Sequence, residues 1–125
     1  MLTLDRIIDA ALLEDIHTGD ITTQALLLGK RTAKARLVAK EDFLLAGVCV
    51  AGRVFQRLNP DILFSANYSD GCRVDSGNVI ATIQGDAADL LMGERVALNL
   101  LQRLSGIATL TARFVEAVRG TGARI

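Results

Sequence analysis

The chain has 125 residues, half of them apolar, and its acidic and basic residues balance to a net charge of zero. This length suffices for one domain with a sizeable core, and the composition is that of an ordinary soluble globular protein. The zero net charge argues against a general nucleic-acid surface, which needs clustered Lys and Arg. Any anionic ligand must therefore be bound by a few well-placed cations rather than by a global field.

Two cysteines and one histidine are too few for a disulfide or zinc framework, because Cys49 and Cys72 lie far apart and form no CxxC pair. Reduced cysteines fit a cytoplasmic protein. The N-terminal stretch has no basic region followed by an apolar run, so it is not a signal peptide. No segment approaches the roughly 20 apolar residues of a membrane span.

The first thirty residues predict a helix, a turn and a shorter helical segment. Apolar side chains recur at helical spacing at Leu4, Ile7, Ile8, Ala11 and Leu12. Glu14 and Asp15 are expected to lead into a turn at residues 17–20, followed by a short helical segment over residues 23–28 that Gly29 ends.

The middle of the chain predicts one helix among several strands. The helix begins at Val48, after Gly47, and is stopped by Asn59-Pro60. Alternation of apolar and polar side chains, or short extended segments between turn residues, predicts strands at residues 34–40, 43–46, 61–66 and 79–84.

The last third predicts helices. Asp86 should cap a helix to about Leu104, Ser105-Gly106 should interrupt it, and a second helix should cover residues 107–119. Residues 123–125 resemble the opening of a strand with little room to pair, which suggests that the sequence stops mid-protein. With no βαβ rhythm, the elements favour an α+β fold, a small sheet with helices on one face.

A helical wheel of the segment after Asp86 separates an apolar face from a polar one. The apolar centre consists of Leu90, Ala97, Leu101 and Leu104, and the opposite side of Arg95, Asn99, Gln102 and Arg103. Glu94 projects into the apolar half, so its carboxylate must be paired, hydrogen-bonded or near an interface. A solvated face is the plainest interpretation of Arg95 and Asn99, and a structural ion pair that of Glu94.

The sequence offers few residues for catalysis. His17 is the only histidine, and its place in the expected turn argues against a catalytic role. No nucleophile–His pair can be assembled. The one GxG, Gly120-Thr121-Gly122, lacks a third glycine and follows a helix, so it does not predict a phosphate-binding loop.

Residues 70–80 match the pattern DGxxVxxGxxI, which occurs in hammerhead and barrel-sandwich folds, including biotinyl and lipoyl carriers. The pattern predicts two tight turns around a short strand, with Gly71 and Gly77 at positive φ. A carrier needs an exposed lysine at the tip of a hairpin, and this region has none. The structural interpretation is therefore favoured.

Three blocks together resemble the N-terminal half of the quinolinate phosphoribosyltransferases, also called nicotinate-nucleotide pyrophosphorylases (carboxylating). The blocks are residues 11–23 (ALLED, then GDITT), residues 70–80, and residues 93–109 (GERVALN, then LSGIAT). The third block is the most specific because it is much longer than a chance motif.

The resemblance implies an α/β-hammerhead-like N-terminal domain at residues 1–106, with residues 107–125 as the linking helix and first strand of a C-terminal α/β barrel. It implies an enzyme that transfers a phosphoribosyl group from phosphoribosyl pyrophosphate to quinolinate. The products are nicotinate mononucleotide, CO2 and pyrophosphate, in de novo NAD biosynthesis. Mg2+ accompanies phosphoribosyl pyrophosphate, and the enzyme is at least a homodimer.

One substrate residue carries over from the family, Arg95, which the resemblance places across the dimer on a quinolinate carboxylate. A planar guanidinium on a helix suits that task. Glu94 and Asn99 belong to the same motif and are expected to support or pack beside it. The remaining cations and the metal-binding acids are expected beyond Ile125, so this segment should contain no catalytic or metal-binding residue and should be inactive alone.

Three alternatives remain at this point. One is a molybdenum-transport-associated paralogue of the same superfamily, which the intact ERVALN sequence disfavours. Another is a noncatalytic carrier or binding module built on the hammerhead strands. The third is a dimerisation domain in which the apolar helices after Asp86 bury a partner surface and Arg95 lies only at the rim.

Overall fold

The structure, a computed structural model, describes residues 2–19 and 31–125. Three helices and five strands occur within these ranges. The helices are α1 (Leu2–Gly19), α2 (Val48–Leu58) and α3 (Ala87–Ala117), and the strands are β1 (Thr32–Val38), β2 (Phe43–Leu44), β3 (Leu63–Ala66), β4 (Arg73–Val74) and β5 (Val79–Asp86). None of the described helices is both long enough and apolar enough to cross a membrane.

The main sheet is antiparallel, with strand order β1-β5-β3. Because side chains alternate along a strand, its two faces differ. Ile83 of β5 lies opposite Phe64 and faces the helices, whereas the next residue, Gln84, lies opposite Lys34 and Leu63 on the exposed face. The short strands β2 and β4 form a second antiparallel pair. The predicted α+β fold, a small sheet with helices on one face, is confirmed.

The core lies between the sheet and the helices in two clusters of buried side chains. The larger cluster joins α1, α2, β5 and α3 through Ile8, Leu12, Ala51, Val54, Phe55, Ile62, Ile83, Leu90, Val96 and Ala97. The smaller one consists of Ala39, Leu45, Val48, Val74, Ile80 and Leu101. A Cβ atom on Gly93 would lie 2.9 Å from side-chain atoms of Phe55 and Leu58. The absence of a side chain there therefore allows α3 to pack closely on α2.

The residue 70–80 pattern forms the two predicted turns. Gly71 has φ 92° and Gly77 has φ 90°, as expected for this pattern, and Val74 and Ile80 are buried. The Asp70 side chain has a further role, because its Oδ1 accepts a 2.8 Å hydrogen bond from the Val48 N–H at the start of α2. It satisfies a helix N-terminal donor that Gly47, which lacks a polar side chain, cannot.

Ion pairs between two aspartates of α1 and two arginines of α2 hold these helices together. Arg53 Nε and Nη2 each donate to one Asp5 carboxylate oxygen at 2.8 Å, and one turn further on Arg57 Nε donates to Asp9 Oδ1 at 2.9 Å. Acids at i and i+4 on one helix thus meet arginines at i and i+4 on the other. The hydrogen bonds from Arg53 and Arg57 lower the pKa values of Asp5 and Asp9 below their ordinary value.

Two predicted boundaries near the ends of helices are wrong. The turn was expected to begin at residue 17, but α1 continues through Gly19. The interruption expected at Ser105-Gly106 is absent, since α3 runs unbroken from Ala87 to Ala117. One glycine costs a helix only about 1 kcal/mol relative to alanine, which the packing of α3 outweighs. The helical segment expected at residues 23–28 lies outside the described residues.

The strand expected at residues 123–125 is also wrong. After Gly120, with φ 81°, the backbone continues through bends without forming a strand. A strand needs a neighbouring strand with which to exchange backbone hydrogen bonds. The sequence pattern suggested an extended segment but did not identify such a neighbour. By contrast, the cap predicted at Asp86 is confirmed, because its side chain accepts a hydrogen bond from the Ala88 N–H.

Candidate functional site

An open groove runs along one side of α3, where the end of α1 approaches it. Its volume is about 380 Å3. The α3 residues recur at spacings of three and four, so they share one face of the helix. The groove is lined by Asp15 of α1 and by Leu91, Glu94, Arg95, Leu98, Asn99 and Gln102 of α3.

Arg95 is the cation of this groove. Its side chain is 64% exposed, and its Nη1 lies 3.2 Å from Oδ1 of Asp15. The Asp15 side chain is only 13% exposed. The pair therefore joins a sheltered carboxylate on α1 to a guanidinium that still reaches solvent, where it is accessible to a second anion.

The structure brings Glu94 and Asn99 to the same groove, and both are exposed. Leu98 lines the groove together with Glu94. Because Glu94 is exposed in the described structure, its carboxylate carries no large desolvation cost. One apolar assignment on the wheel needs correction, because Leu104 is 37% exposed. Its side chain nevertheless lies close to Gly47, where a Cβ atom would be 2.7 Å from Leu104 Cδ1.

The residues next to Arg95 in the GERVALN block hold α3 in place. Val96 and Ala97 are buried in the larger core cluster, and Gly93 packs directly on α2. Arg95 and Asn99 lie one helical turn apart on the outer side of the same segment. The block thus combines a tightly packed inner face with an exposed polar outer face. The packed face fixes the position of the backbone that carries the Arg95 guanidinium.

The LSGIAT block has a structural role. Ser105 is buried, and its hydroxyl accepts from the Ala46 N–H and donates to the Ala46 carbonyl, both at 3.0 Å. Thr109 Oγ1 accepts from the Leu44 N–H at 3.0 Å. These two hydroxyls satisfy backbone groups of the segment that leads from β2 into α2, so they connect the motif to the fold and not to the groove.

Asp15 is the charged residue of the groove that the sequence patterns did not identify as a site residue. It was expected to lead into a turn, but α1 continues past it. Ile8, Leu12 and Asp15 follow at spacings of four and three, so Asp15 occupies the next position on the buried stripe of α1. An acid that continues an apolar stripe was the available signal. The side chain of His17 lies outside the described part of the structure.

The groove offers an anion one contact, the exposed guanidinium of Arg95. Among residues 3–16 and 31–125, no group of three His, Cys, Asp or Glu side chains is placed to hold a metal ion. The tip of the second hammerhead turn, residues 75–78, carries no lysine. What the groove offers is one accessible guanidinium beside the apolar side chains of Leu91 and Leu98.

Comparison with known proteins identifies the family to which the chain is similar. Residues 20–105 match the family described as quinolinate phosphoribosyl transferase, N-terminal domain. Nicotinate-nucleotide pyrophosphorylases (carboxylating), both described as probable, from Synechocystis sp. and Bacillus subtilis are 48% and 43% identical over 107 and 118 residues, which is 86% and 94% of this chain. NadC from Streptococcus pyogenes superposes with a TM-score of 0.87 at 43% identity over 94% of this chain.

The chain therefore belongs to the quinolinate phosphoribosyltransferase family, and its described fold is that of the family's N-terminal domain. It spans 36% and 39% of the lengths of the Synechocystis and Bacillus relatives and 42% of the Streptococcus chain.

Proposed function

We propose that this chain is the N-terminal segment of an enzyme that transfers a phosphoribosyl group from phosphoribosyl pyrophosphate to quinolinate, forming nicotinate mononucleotide, CO2 and pyrophosphate for NAD biosynthesis. In this proposal Arg95 binds a carboxylate of quinolinate in the active site of a neighbouring subunit. The observation that carries it is the accessible guanidinium of Arg95, mounted within the GERVALN block on a helix packed firmly into the core.

The groove fits one carboxylate of an aromatic diacid. A guanidinium binds a carboxylate through two parallel hydrogen bonds, and such charge-assisted bonds are about twice as strong as neutral ones. Leu91 and Leu98 give a pyridine ring an apolar surface beside that contact. Arginine suits the task better than lysine, because its fork fixes orientation as well as charge.

The charges of the groove also indicate that it is half of a site. Asp15 and Glu94 place two carboxylates beside the single guanidinium of Arg95. A dianion such as quinolinate would meet net negative charge here, so further cations must come from elsewhere. This supports a site shared with a barrel of a second subunit, and it is the reason to expect no transferase activity from residues 1–125 alone.

The second half of α3 supports an assembled enzyme. Ile107, Leu110 and Phe114 recur at spacings of three and four and are each more than half exposed. Such an apolar stripe on one side of a helix is typical of a surface that another element covers. We assign this stripe to contacts within a homodimer or higher homo-oligomer. We further propose that the enzyme is cytoplasmic.

Magnesium enters the proposal only with phosphoribosyl pyrophosphate. The described side chains provide no cluster of metal ligands. In the proposed enzyme, Mg2+ and the pyrophosphate are therefore bound by the barrel, and this segment contributes the carboxylate contact.

The test uses a hybrid enzyme in which this chain replaces the matching N-terminal segment of the Bacillus subtilis relative. Arg95→Ala should weaken productive quinolinate binding by roughly 2–5 kcal/mol, the range for removing one partner of a buried charge pair. Arg103→Ala is the matched control, since it removes an exposed arginine of the same helix that does not line the groove. An unchanged KM for quinolinate in Arg95→Ala would show that Arg95 is not a ligand.

A further inference from the structure

Asp15 occupies a place where a helix usually presents an apolar side chain. It follows Ile8 and Leu12 on the buried stripe of α1, and its own side chain is 13% exposed. Sheltering a carboxylate has an energetic cost that needs a compensating interaction. The contact with Arg95 of α3 is such an interaction, and it connects two helices whose residues lie 80 positions apart in the sequence.

The geometry of the contact leaves much of the guanidinium accessible. Asp15 Oδ1 engages one terminal nitrogen, Nη1, at 3.2 Å. Within the described residues, Nε and Nη2 of Arg95 have no protein acceptor. These two nitrogens form one side of the planar fork, the arrangement that binds a carboxylate through two parallel hydrogen bonds.

Asp15 is itself well placed to orient another group, because α1 is fixed to α2 at two points. Asp5 binds Arg53 through both carboxylate oxygens, and Asp9 binds Arg57 one turn later. Ile8 and Leu12 anchor the same helix in the core. Arg95, in contrast, has a long side chain with many rotamers on an exposed helix face.

We propose that Asp15 is a positioning residue, whose carboxylate holds the Nη1 end of Arg95 so that the Nε–Nη2 side of the fork faces the incoming substrate carboxylate. This inference rests on the proposed function, because it assigns to Asp15 the orientation of the group that binds quinolinate. A guanidinium oriented beforehand loses less side-chain entropy on binding, which tightens the complex without a new substrate contact.

A competing role for Asp15 makes the opposite prediction. If its carboxylate merely occupied the substrate's place on Arg95, its removal would free the guanidinium and strengthen quinolinate binding. If it orients Arg95, its removal weakens binding. The sign of the change in KM for quinolinate therefore decides between the two roles.

The experiment measures KM for quinolinate and for phosphoribosyl pyrophosphate in the hybrid enzyme. Asp15→Ala should raise KM for quinolinate roughly three- to tenfold, the scale of immobilising one rotamer-rich side chain, and leave KM for phosphoribosyl pyrophosphate unchanged. Asp15→Asn keeps an oxygen acceptor at the same place and should recover most of the affinity. Asp61→Ala, which removes an exposed carboxylate outside the groove, should change neither constant.

Several results would overturn the proposal. A lower or unchanged KM for quinolinate in Asp15→Ala would do so, as would equal changes for both substrates, which indicate a general structural effect. Where Asp15→Ala fails to fold, Asp15→Leu asks the same question, because it continues the apolar stripe of Ile8 and Leu12 without an oxygen acceptor and should likewise raise KM for quinolinate. Combining Asp15→Ala with Arg95→Ala should add nothing to Arg95→Ala alone.

If Arg95→Ala itself leaves quinolinate binding intact, the proposed function fails. If Arg95→Ala weakens binding and Asp15→Ala does not, only the positioning role fails.

Discussion

Ser105 and Ala46 exchange two hydrogen bonds, in which the hydroxyl of Ser105 accepts from the Ala46 N–H and donates to the Ala46 carbonyl. One side chain in the middle of α3 thereby satisfies both backbone groups of a residue in the connection between β2 and α2. This pairing explains why a serine sits at a buried position where α3 would otherwise present an apolar residue.

Replacing Ser105 by alanine should therefore destabilise the chain by about 1–3 kcal/mol, the cost of leaving buried polar groups without partners. The measurement is the free energy of unfolding in urea. Ser69→Ala is the matched control, because Ser69 is exposed and its substitution should change stability by less than about 0.5 kcal/mol. Equal losses in the two variants would contradict the role assigned to the Ser105 hydroxyl.

Gly47 and Gly77 allow backbone strain to be separated from steric overlap. Both have similar positive φ values, 95° and 90°. A Cβ on Gly47 would lie 2.7 Å from Leu104 Cδ1, whereas a Cβ on Gly77 would meet no atom within 4 Å. We expect Gly77→Ala to cost about 1–2 kcal/mol from backbone strain alone. Gly47→Ala should cost about 1–3 kcal/mol more from overpacking, and thermal unfolding of both variants measures the difference.

The ion pairs between α1 and α2 predict a dependence of stability on pH. Hydrogen bonds from Arg53 and Arg57 lower the pKa values of Asp5 and Asp9 in the folded state. On acidification the unfolded state therefore takes up these protons first. The stabilisation is fully present above the unfolded pKa values, about 4, and is lost as the pH falls through the lower folded values.

Urea titrations between neutral pH and about pH 3 test this expectation. A variant with Asp5→Asn and Asp9→Asn should be less stable than the parent at neutral pH, and the difference in stability should begin to shrink below about pH 4. High salt should weaken the difference, since Asp9 and Arg57 are exposed. A stability difference that stays constant across this pH range would show that the two carboxylates contribute through packing and not through charge.

Local sequence patterns predicted the features of the fold that local chemistry determines. The start of α2 after Gly47, its end at Asn59-Pro60 and the positive φ values of Gly71 and Gly77 all follow from backbone preferences of single residues. The exposed side of α3 that carries Arg95 followed from helical periodicity.

The features that the sequence did not predict depend on contacts between distant segments. Ser105-Gly106 is an acceptable helix break on propensity alone, and only the bonds to Ala46 show why α3 continues. Aspartate is a common turn residue, so the sequence around Asp15 suggested a turn. The ion pair with Arg95 is visible only once α3 is in place, because the two residues lie 80 positions apart in the sequence. The apolar stripe of α1 can indicate that Asp15 needs a partner, but the identity of that partner depends on the position of a distant helix.

The apolar stripe of Ile107, Leu110 and Phe114 yields a prediction about assembly. If the assembled enzyme covers this stripe, Phe114→Asp should destabilise the hybrid enzyme by about 1.5–3 kcal/mol, the contribution of burying one large apolar side chain. The same substitution should lower the fraction of assembled subunits. In the isolated chain the same substitution should have little effect, because Phe114 is already exposed there. Ala112→Asp introduces the same charge about 200° around the helix and should be tolerated in both proteins. Sedimentation and thermal unfolding measure the two effects. A Phe114→Asp hybrid that assembles and unfolds like its parent would mean that the stripe stays in contact with solvent in the enzyme.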